Sequence, residues 1–442
     1  MYRINPKNSI KILFILIYFS SNIIPFHLKY ALSVLLSFLF FNCGQDTPTM
    51  AEAECFQLPK GTHLPRLFLT PENIQLSYVL SEQEQHNLLA FPIPPSENST
   101  QTTVFQSGKE WFVNWADFPS IKYVDEGLHG HVFFSHALEY SAGGTYDYDI
   151  KYSFRDDNGP LFIPRKLHQD TVSAEHGFLS SAQLPEGGLQ VSWLDGRYTK
   201  QAGADAGAKK VAEQSDDHGH GGGGAMTLRT KALTDSVSVE LDHRVCDCCN
   251  TATVATDDLV MVAYRDRSEH EIRDIGYVIK PTGREWSTPK LVHADNWEIS
   301  GCPVNGPALA ANGAGNIAIV WYTAPADRAQ ILFSRYDAAL DAWQPPTLLD
   351  DNAPLGRVDL QLAEDGTAYA TALTTRENID DAFLTLWAIA PSGEVEREDL
   401  VSTSPARSSG FPKIALFEDK LYWARTVVGE EKGQHHVEVC WR

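Results

Sequence analysis

The chain repeats itself at long intervals, and that repetition limits what it can fold into. Pro164-Arg-Lys-Leu-His168-Gln-Asp170 and Pro289-Lys-Leu-Val-His293-Ala-Asp295 share a Pro-x-x-x-His-x-Asp spacing, and Pro346-Thr-Leu-Leu-Asp350-Asp351 is a weaker third copy. Each follows an aromatic residue: Phe162, Trp286 or Trp343. The last two copies lie 57 residues apart and the first two 125, about two periods. A Gly or Pro leads into an apolar stretch at Leu64-Pro-Arg-Leu, Gly177-Phe-Leu, Gly306-Pro-Ala-Leu, Gly356-Arg-Val and Gly410-Phe-Pro-Lys-Ile, marking unit starts. Units of this size stack so that each covers its neighbour's apolar face.

Within the units, helical periodicity is absent after residue 60. Short β-rich runs take its place: Gln75–Leu80, His131–His136, Gly188–Trp193, Leu259–Tyr264 and Asn316–Tyr322, separated by Gly, Asp and Asn. That pattern predicts an all-β chain of hairpins. Four strands repeating every 55 to 60 residues describe a β-propeller of four-stranded antiparallel blades, six- or seven-bladed, with seven favoured by the unit starts. The last unit, Phe411 to Arg442, has room for three strands, so the ring is expected to borrow Glu54–Leu58 from the other end. Cys55 and Cys440 lie in those two stretches, and a disulfide between them would lock the ring.

The first 42 residues are a different kind of sequence. They hold Arg3, Lys7, Lys11 and Lys29 and no acid, so the other 400 residues carry a net charge of −25, against −21 for the whole chain. Such an acidic body is unsuited to coating nucleic acid, which needs a basic face. Apolar runs span Ile10–Phe26 and Ala31–Phe41, the second ending at Cys43. It has the length of a signal-peptide core and is too short to cross a bilayer. This resembles a bacterial lipoprotein signal, implying lipidation at Cys43 and a membrane-anchored protein of the cell envelope or periplasm; the alternatives are an uncleaved anchor or a mis-assigned start. The expected organisation is a signal or anchor segment over 1–42, a tether with a ring-closing strand over 43–60, and a propeller over 61–442.

Export makes disulfides the default for Cys55, Cys246, Cys248, Cys249, Cys302 and Cys440, an even number. Besides ring closure, Cys246 could pair with Cys302 beside a vicinal Cys248–Cys249 bridge, or Cys302 with either neighbour. The competing reading is a soft thiolate metal site at Cys246, Cys248, Cys249 and Cys302, helped by His243 or the Asp216-Asp-His218-Gly-His220 loop. That His-Gly loop reads more simply as a solvated insertion.

In a blade running from axis to rim, the loops from strand 4 to the next strand 1 share a face with the loops from strand 2 to strand 3. By that rule His168–His176, Asp242–Asn250, His293–Asn305, Asp350–Arg357 and Ser402–Gly410 face the same side as Asp195–Arg197, Arg265–Arg273 and Thr374–Asp380. The clustered Arg, His and Cys residues therefore gather on one face, the expected functional one.

The stretch Ser153-Phe-Arg-Asp-Asp157-Asn-Gly159-Pro-Leu-Phe162-Ile-Pro164 resembles a degenerate Asp-box, the rim turn of sialidase-like (BNR repeat) propellers. Thr282–Ser287 and Ser334–Trp343 occupy equivalent places without the full motif. Asn114–Pro119, Glu175–Phe178, Trp193–Arg197, Val245–Cys249, Tyr264–Arg267 and Gly301–Gly306 resemble segments of bacterial exported proteins of exo-α-sialidase-like type. The family's Arg-Ile-Pro signature is only loosely echoed by Leu64-Pro-Arg66-Leu. The resemblance implies a hydrolase with three carboxylate-gripping arginines, a Tyr nucleophile activated by Glu, and an Asp acid/base. The candidates are Arg197, Arg265, Arg267, Arg273 and Arg357 for the grip, Asp195, Asp266 and Glu175 for acid/base work, and Tyr264 or Tyr422 as nucleophile.

The expected function is that of an exported, monomeric glycosidase, without cofactor, acting on terminal acidic sugars of extracellular glycans or glycoconjugates. Its rival is a non-catalytic surface propeller that binds a glycan or protein. Nucleotide-binding loops, Ser nucleophile elbows and His-Glu-x-x-His motifs are missing from the sequence, which sets those classes aside.

Overall fold

The structure is a computed structural model that describes residues 53–95, 102–125, 131–156, 159, 163–200, 224–376, 382–431 and 433–442. Cys43 with the apolar runs before it, the His-Gly loop and the Asp-box residues Asp157 and Phe162 lie outside the described residues.

Seven antiparallel sheets follow one another along the chain. Blade 1 spans 62–108, blade 2 120–166, blade 3 176–242, blade 4 252–291, blade 5 308–350, blade 6 356–403 and blade 7 413–441. Blade 5 adds a fifth short strand, because Ala342–Trp343 and Thr347–Asp350 both pair with Gln330–Asp337. Blade 7 takes its fourth strand from the other end of the chain, as Glu54–Gln57 pairs with His436–Trp441. Cys55 sits directly opposite Cys440 in that register and is disulfide-bonded to it.

The five β-rich runs read from the sequence are the second strands of blades 1 to 5. They stand out because a second strand is covered on both faces by neighbouring blades: every residue of Leu189–Asp195 is buried. The core accordingly lies between blades rather than within them. Ile74 and Leu76 of blade 1 pack against Ala424 and Val439 of blade 7, and Leu373 and Leu384 of blade 6 against Ile414 and Trp423 of blade 7.

Innermost strands line a central tunnel of about 420 Å³, with Arg66, Lys122, Asp359 and Lys413 among its walls. Three of these strands open with the same device. Leu64, Phe178 and Arg357 have positive φ, of 57°, 52° and 57°, at a break in strand register. Each N–H leaves its own sheet to donate to a side chain of another segment: Thr426 Oγ1, Asp117 Oδ2 and Asn305 Oδ1, respectively. Left-handed backbone costs a non-glycine residue about 1 kcal/mol, which the inter-blade hydrogen bond offsets.

Candidate active site

The strand 4-to-1 loops and strand 2-to-3 loops converge at one mouth of the tunnel. There they form a funnel of about 260 Å³, lined from the 4-to-1 side by Trp115, Asp117, Glu175, Asp247, Val304 and Arg407 and from the 2-to-3 side by Tyr146 and Tyr148.

Its floor carries a phenol between two carboxyl groups. The Tyr148 hydroxyl donates to Glu175 Oε1 at 2.8 Å and lies 3.4 Å from Asp117 Oδ2. All three side chains are buried. Tyr148 opens the third strand of blade 2 and Glu175 immediately precedes blade 3; a parallel bridge joins their backbones. The Tyr148 ring is stacked on Phe112 at 4.2 Å, which fixes its plane. Asp117 fits only because residue 177 is glycine, since a Cβ there would overlap the Asp117 carboxylate.

Burial dominates the electrostatics, because removing these carboxyls from water disfavours their charged forms. Glu175 is pushed up to about 8, against the opposing hydrogen bond from Tyr148. Asp117 is pushed up to about 7, although the Phe178 N–H and Arg66 favour its anion. Burial and the two neighbouring carboxyls hold the Tyr148 phenol well above its ordinary range. Above the trio stands Trp115, partly exposed and backed by Phe411 at 5.7 Å, with the Arg357 guanidinium 5.0 Å from its ring. The Arg407 guanidinium lies over the same ring at 6.0 Å.

The five arginines expected to grip a carboxylate are engaged elsewhere. Arg265, 1% exposed, donates to three backbone carbonyls, of Asn305, Arg273 and Tyr322, and lies over Trp297. Arg357 donates to Ser409 Oγ and to the carbonyls of Ala406 and Pro405. Arg197 forks onto Asp195 at 2.7 Å and reaches Asp170 at 3.3 Å. Arg267 bridges Asp247 and Glu271, while Arg273 pairs with Glu271 and donates to Cys246 Sγ. The arginine lining the funnel is Arg407, which sequence reading had not singled out.

Of the carboxylates, Glu175 lies in the funnel, whereas Asp195 is held by Arg197 and Trp193 Nε1. Asp266, raised to about 6 by burial, accepts from the Arg267 N–H and lines a shallow surface depression with His243 and Arg244. Tyr264 donates to Asp242 Oδ2 at 2.5 Å, and Tyr422 packs between blades 1 and 7 against Trp441; neither lines the funnel. Tyr148 and Asp117 were missed. Their signal was proximity to segments already marked, Asn114–Pro119 and Glu175–Phe178.

Among the described residues, two groups of side chains bring together atom types that could hold a metal: Cys246, Cys248 and Cys249, of which Cys248 is taken up in a disulfide with Cys302, and a buried cluster behind Tyr148 and Glu175. In that cluster the His168 and His176 rings stack at 3.6 Å among Asp149, Asp170 and Asp195. Asp149 follows Tyr148 and His176 follows Glu175, so strand alternation sends one member of each pair into the funnel and the other into this cluster. The chain's own donors already meet two of these carboxylates: Lys166 lies 3.1 Å from Asp149, and Arg197 and Trp193 hydrogen-bond the oxygens of Asp195.

The sequence matches no protein-family model and none of the curated proteins. Among solved structures, the chain is similar to the polysaccharide lyase Uly1, with a TM-score of 0.47 and 11% identity, covering 86% of this chain and 89% of that one. An α-L-arabinofuranosidase from Fusarium graminearum gives a TM-score of 0.48 and 10% identity, covering 88% of this chain and 97% of that one. A Penicillium chrysogenum α-L-arabinanase gives 0.48 and 11%, covering 89% and 98%.

Proposed function

We propose that the protein is a glycan-acting enzyme, a glycosidase with Tyr148 as nucleophile and Glu175 as its base. The Tyr148–Glu175 hydrogen bond on the funnel floor carries this reading. A sugar ring held in the funnel beside Trp115 would present its anomeric carbon to the Tyr148 oxygen. Glu175, once ionised, takes the phenolic proton as that oxygen attacks; the glycosidic bond breaks and the aglycone leaves as an alcohol, taking a proton from water. A second water then attacks the anomeric carbon and gives its proton back to solvent, while Glu175 returns its proton to the departing Tyr148 oxygen. Asp117, the second carboxyl near the same oxygen, holds Tyr148 in place and sets the charge of the trio. Arg407 at the funnel wall supports a preference for a terminal acidic sugar. The apolar run before Cys43 supports placing this activity outside the cytoplasm, on a lipid-anchored protein.

The test is turnover of fluorogenic sialosides, uronides and neutral glycosides by the purified protein, with Tyr148→Phe and Glu175→Gln beside it. Loss of about 100-fold or more in kcat for both variants, and labelling of Tyr148 by a fluorinated sugar, are expected. Undiminished turnover by Tyr148→Phe would overturn the assignment. Glycan binding by the unmutated protein without product release would instead make the funnel a lectin-like site.

A further inference from the structure

Beside the funnel, the loop Val245–Asn250 carries three cysteines whose arrangement the proposed hydrolysis does not use. Cys248 is disulfide-bonded to Cys302, and this bridge is partly exposed, with Cys248 at the funnel wall. Cys246 and Cys249, spaced Cys-x-x-Cys, are both 1% exposed, with their sulfurs 2.7 Å apart. The two sulfurs therefore face one another within reach of a bond. All three sulfurs of the loop lie within 4.8 Å of one another.

Their setting is cationic. Arg273 Nη1 donates to Cys246 Sγ at 3.4 Å, and the Cys246 N–H donates to the carbonyl of Arg265, whose guanidinium is also close. The Cys249 hydrogen bond and these two arginines bring Cys246 down to about 7 against its burial, while burial and Cys246 hold Cys249 well above its ordinary value. One sulfur is therefore the better nucleophile and the other keeps its proton, the asymmetry that thiol–disulfide exchange uses. The loop between these two arginines also grips the cysteine loop, since Arg267 pairs with Asp247 at 2.9 Å.

We propose that Cys246 and Cys249 are a redox-active dithiol–disulfide couple that exchanges with the Cys248–Cys302 bridge and, through it, with disulfides in solution. In the first step the Cys246 thiolate attacks Cys248 Sγ, forming Cys246–Cys248 and releasing Cys302 as thiolate. Cys249, giving up its proton, then attacks Cys246, forming Cys246–Cys249 and releasing Cys248, and the proton passes to a released thiolate. The two steps conserve electrons within the protein. A small-molecule disulfide such as oxidised glutathione then reoxidises Cys248 and Cys302 and leaves as two thiols. Oxidation closes the loop beside Asp247 at the funnel wall, so the redox state of this centre acts on the site's shape.

The full chain is equilibrated in buffers of reduced and oxidised glutathione, quenched with acid, alkylated and mapped by mass spectrometry. The expected result is a Cys246–Cys249 disulfide, two hydrogens lighter than the dithiol, that forms and reverts with the buffer while Cys55–Cys440 persists. In a Cys248→Ser/Cys302→Ser variant the buried pair should oxidise about tenfold or more slowly. Full alkylation of Cys246 and Cys249 after oxidised glutathione would overturn the proposal. So would one equivalent of zinc held by these thiols on elemental analysis, and so would an unchanged oxidation rate in the double variant. None of these readouts depends on glycan turnover, so the outcome is separable from that of the hydrolase reading.

Discussion

Replacing Cys55 and Cys440 together by Ala tests how the ring is held shut. The bridge joins residues 385 apart, so it removes more unfolded-state freedom than any local crosslink. Loop-closure entropy for that span comes to about 6 kcal/mol at 25 °C. The Cys248–Cys302 bridge shortens the loop by only 54 residues, which changes the figure little. Unfolding entropy of about 2.1 cal/mol/K per residue over this propeller turns 6 kcal/mol into a fall in Tm of about 7 °C. The strand Glu54–Gln57 would still pair with His436–Trp441, helped by Gln57 Nε2 donating to Glu438 Oε2 and by the Leu58 N–H donating to the Val437 carbonyl. The double variant should therefore fold into the same ring, with faster amide exchange confined at first to residues 54–57. Calorimetry without reductant, with exchange mass spectrometry alongside, reads both quantities. A Tm within about 2 °C of the unmutated protein would refute the entropic account.

Arg265→Met would remove a charged donor from three backbone carbonyls, two of them in buried hydrogen bonds; a loss of about 3 to 5 kcal/mol is expected in denaturant titration, far beyond the effect of removing a surface arginine. Gly177→Ala places a methyl group on the Asp117 carboxylate, so turnover should collapse, and Asp117→Ala in the same chain should relieve that overlap and recover part of the lost stability, but not the rate, since the Phe178 N–H then loses its acceptor. Glu175 and Asp117 bind protons more tightly folded than unfolded, being raised to about 8 and about 7. Their contribution to stability is full below about pH 4 and is lost progressively above it, the loss being complete once pH has passed through 7 to 8, several kcal/mol in all. Tm should fall across that range and flatten in Glu175→Gln, whereas kcat should rise as Glu175 ionises.

Local chemistry made much of the architecture legible. Second strands show in the sequence because both of their faces are buried, leaving continuous apolar runs such as Leu259–Tyr264. The facing rule for loops follows from strand alternation alone, and it placed Glu175, Asp247 and Arg407 on the funnel side before any contact was known. Blade 4 begins at Ala252 without a Gly or Pro lead, and the Pro119 before blade 2 is not followed by the apolar stretch that marks the other unit starts, which is why unit starts alone left six and seven both open.

The same rule did not say which arginines face a ligand. Arg197, Arg265, Arg267, Arg273 and Arg357 sit on the expected loops, yet a guanidinium looks identical in sequence whether it meets a substrate or a backbone carbonyl 57 residues away, as Arg265 meets that of Tyr322. Tyr148 reads as one aromatic among several in a strand, and Asp117 as one acid in a loop. Sequence by itself determined the repeat, the strands, the closing cysteine pair and the shared loop face, because each depends on periodicity or on residue type. Tertiary structure alone decided the Tyr148–Glu175–Asp117 trio, the engagement of the arginines and the pairing of Cys248 with Cys302. These depend on which loops of separate blades meet at the axis, and ring closure sets that through packing between residues far apart in the chain.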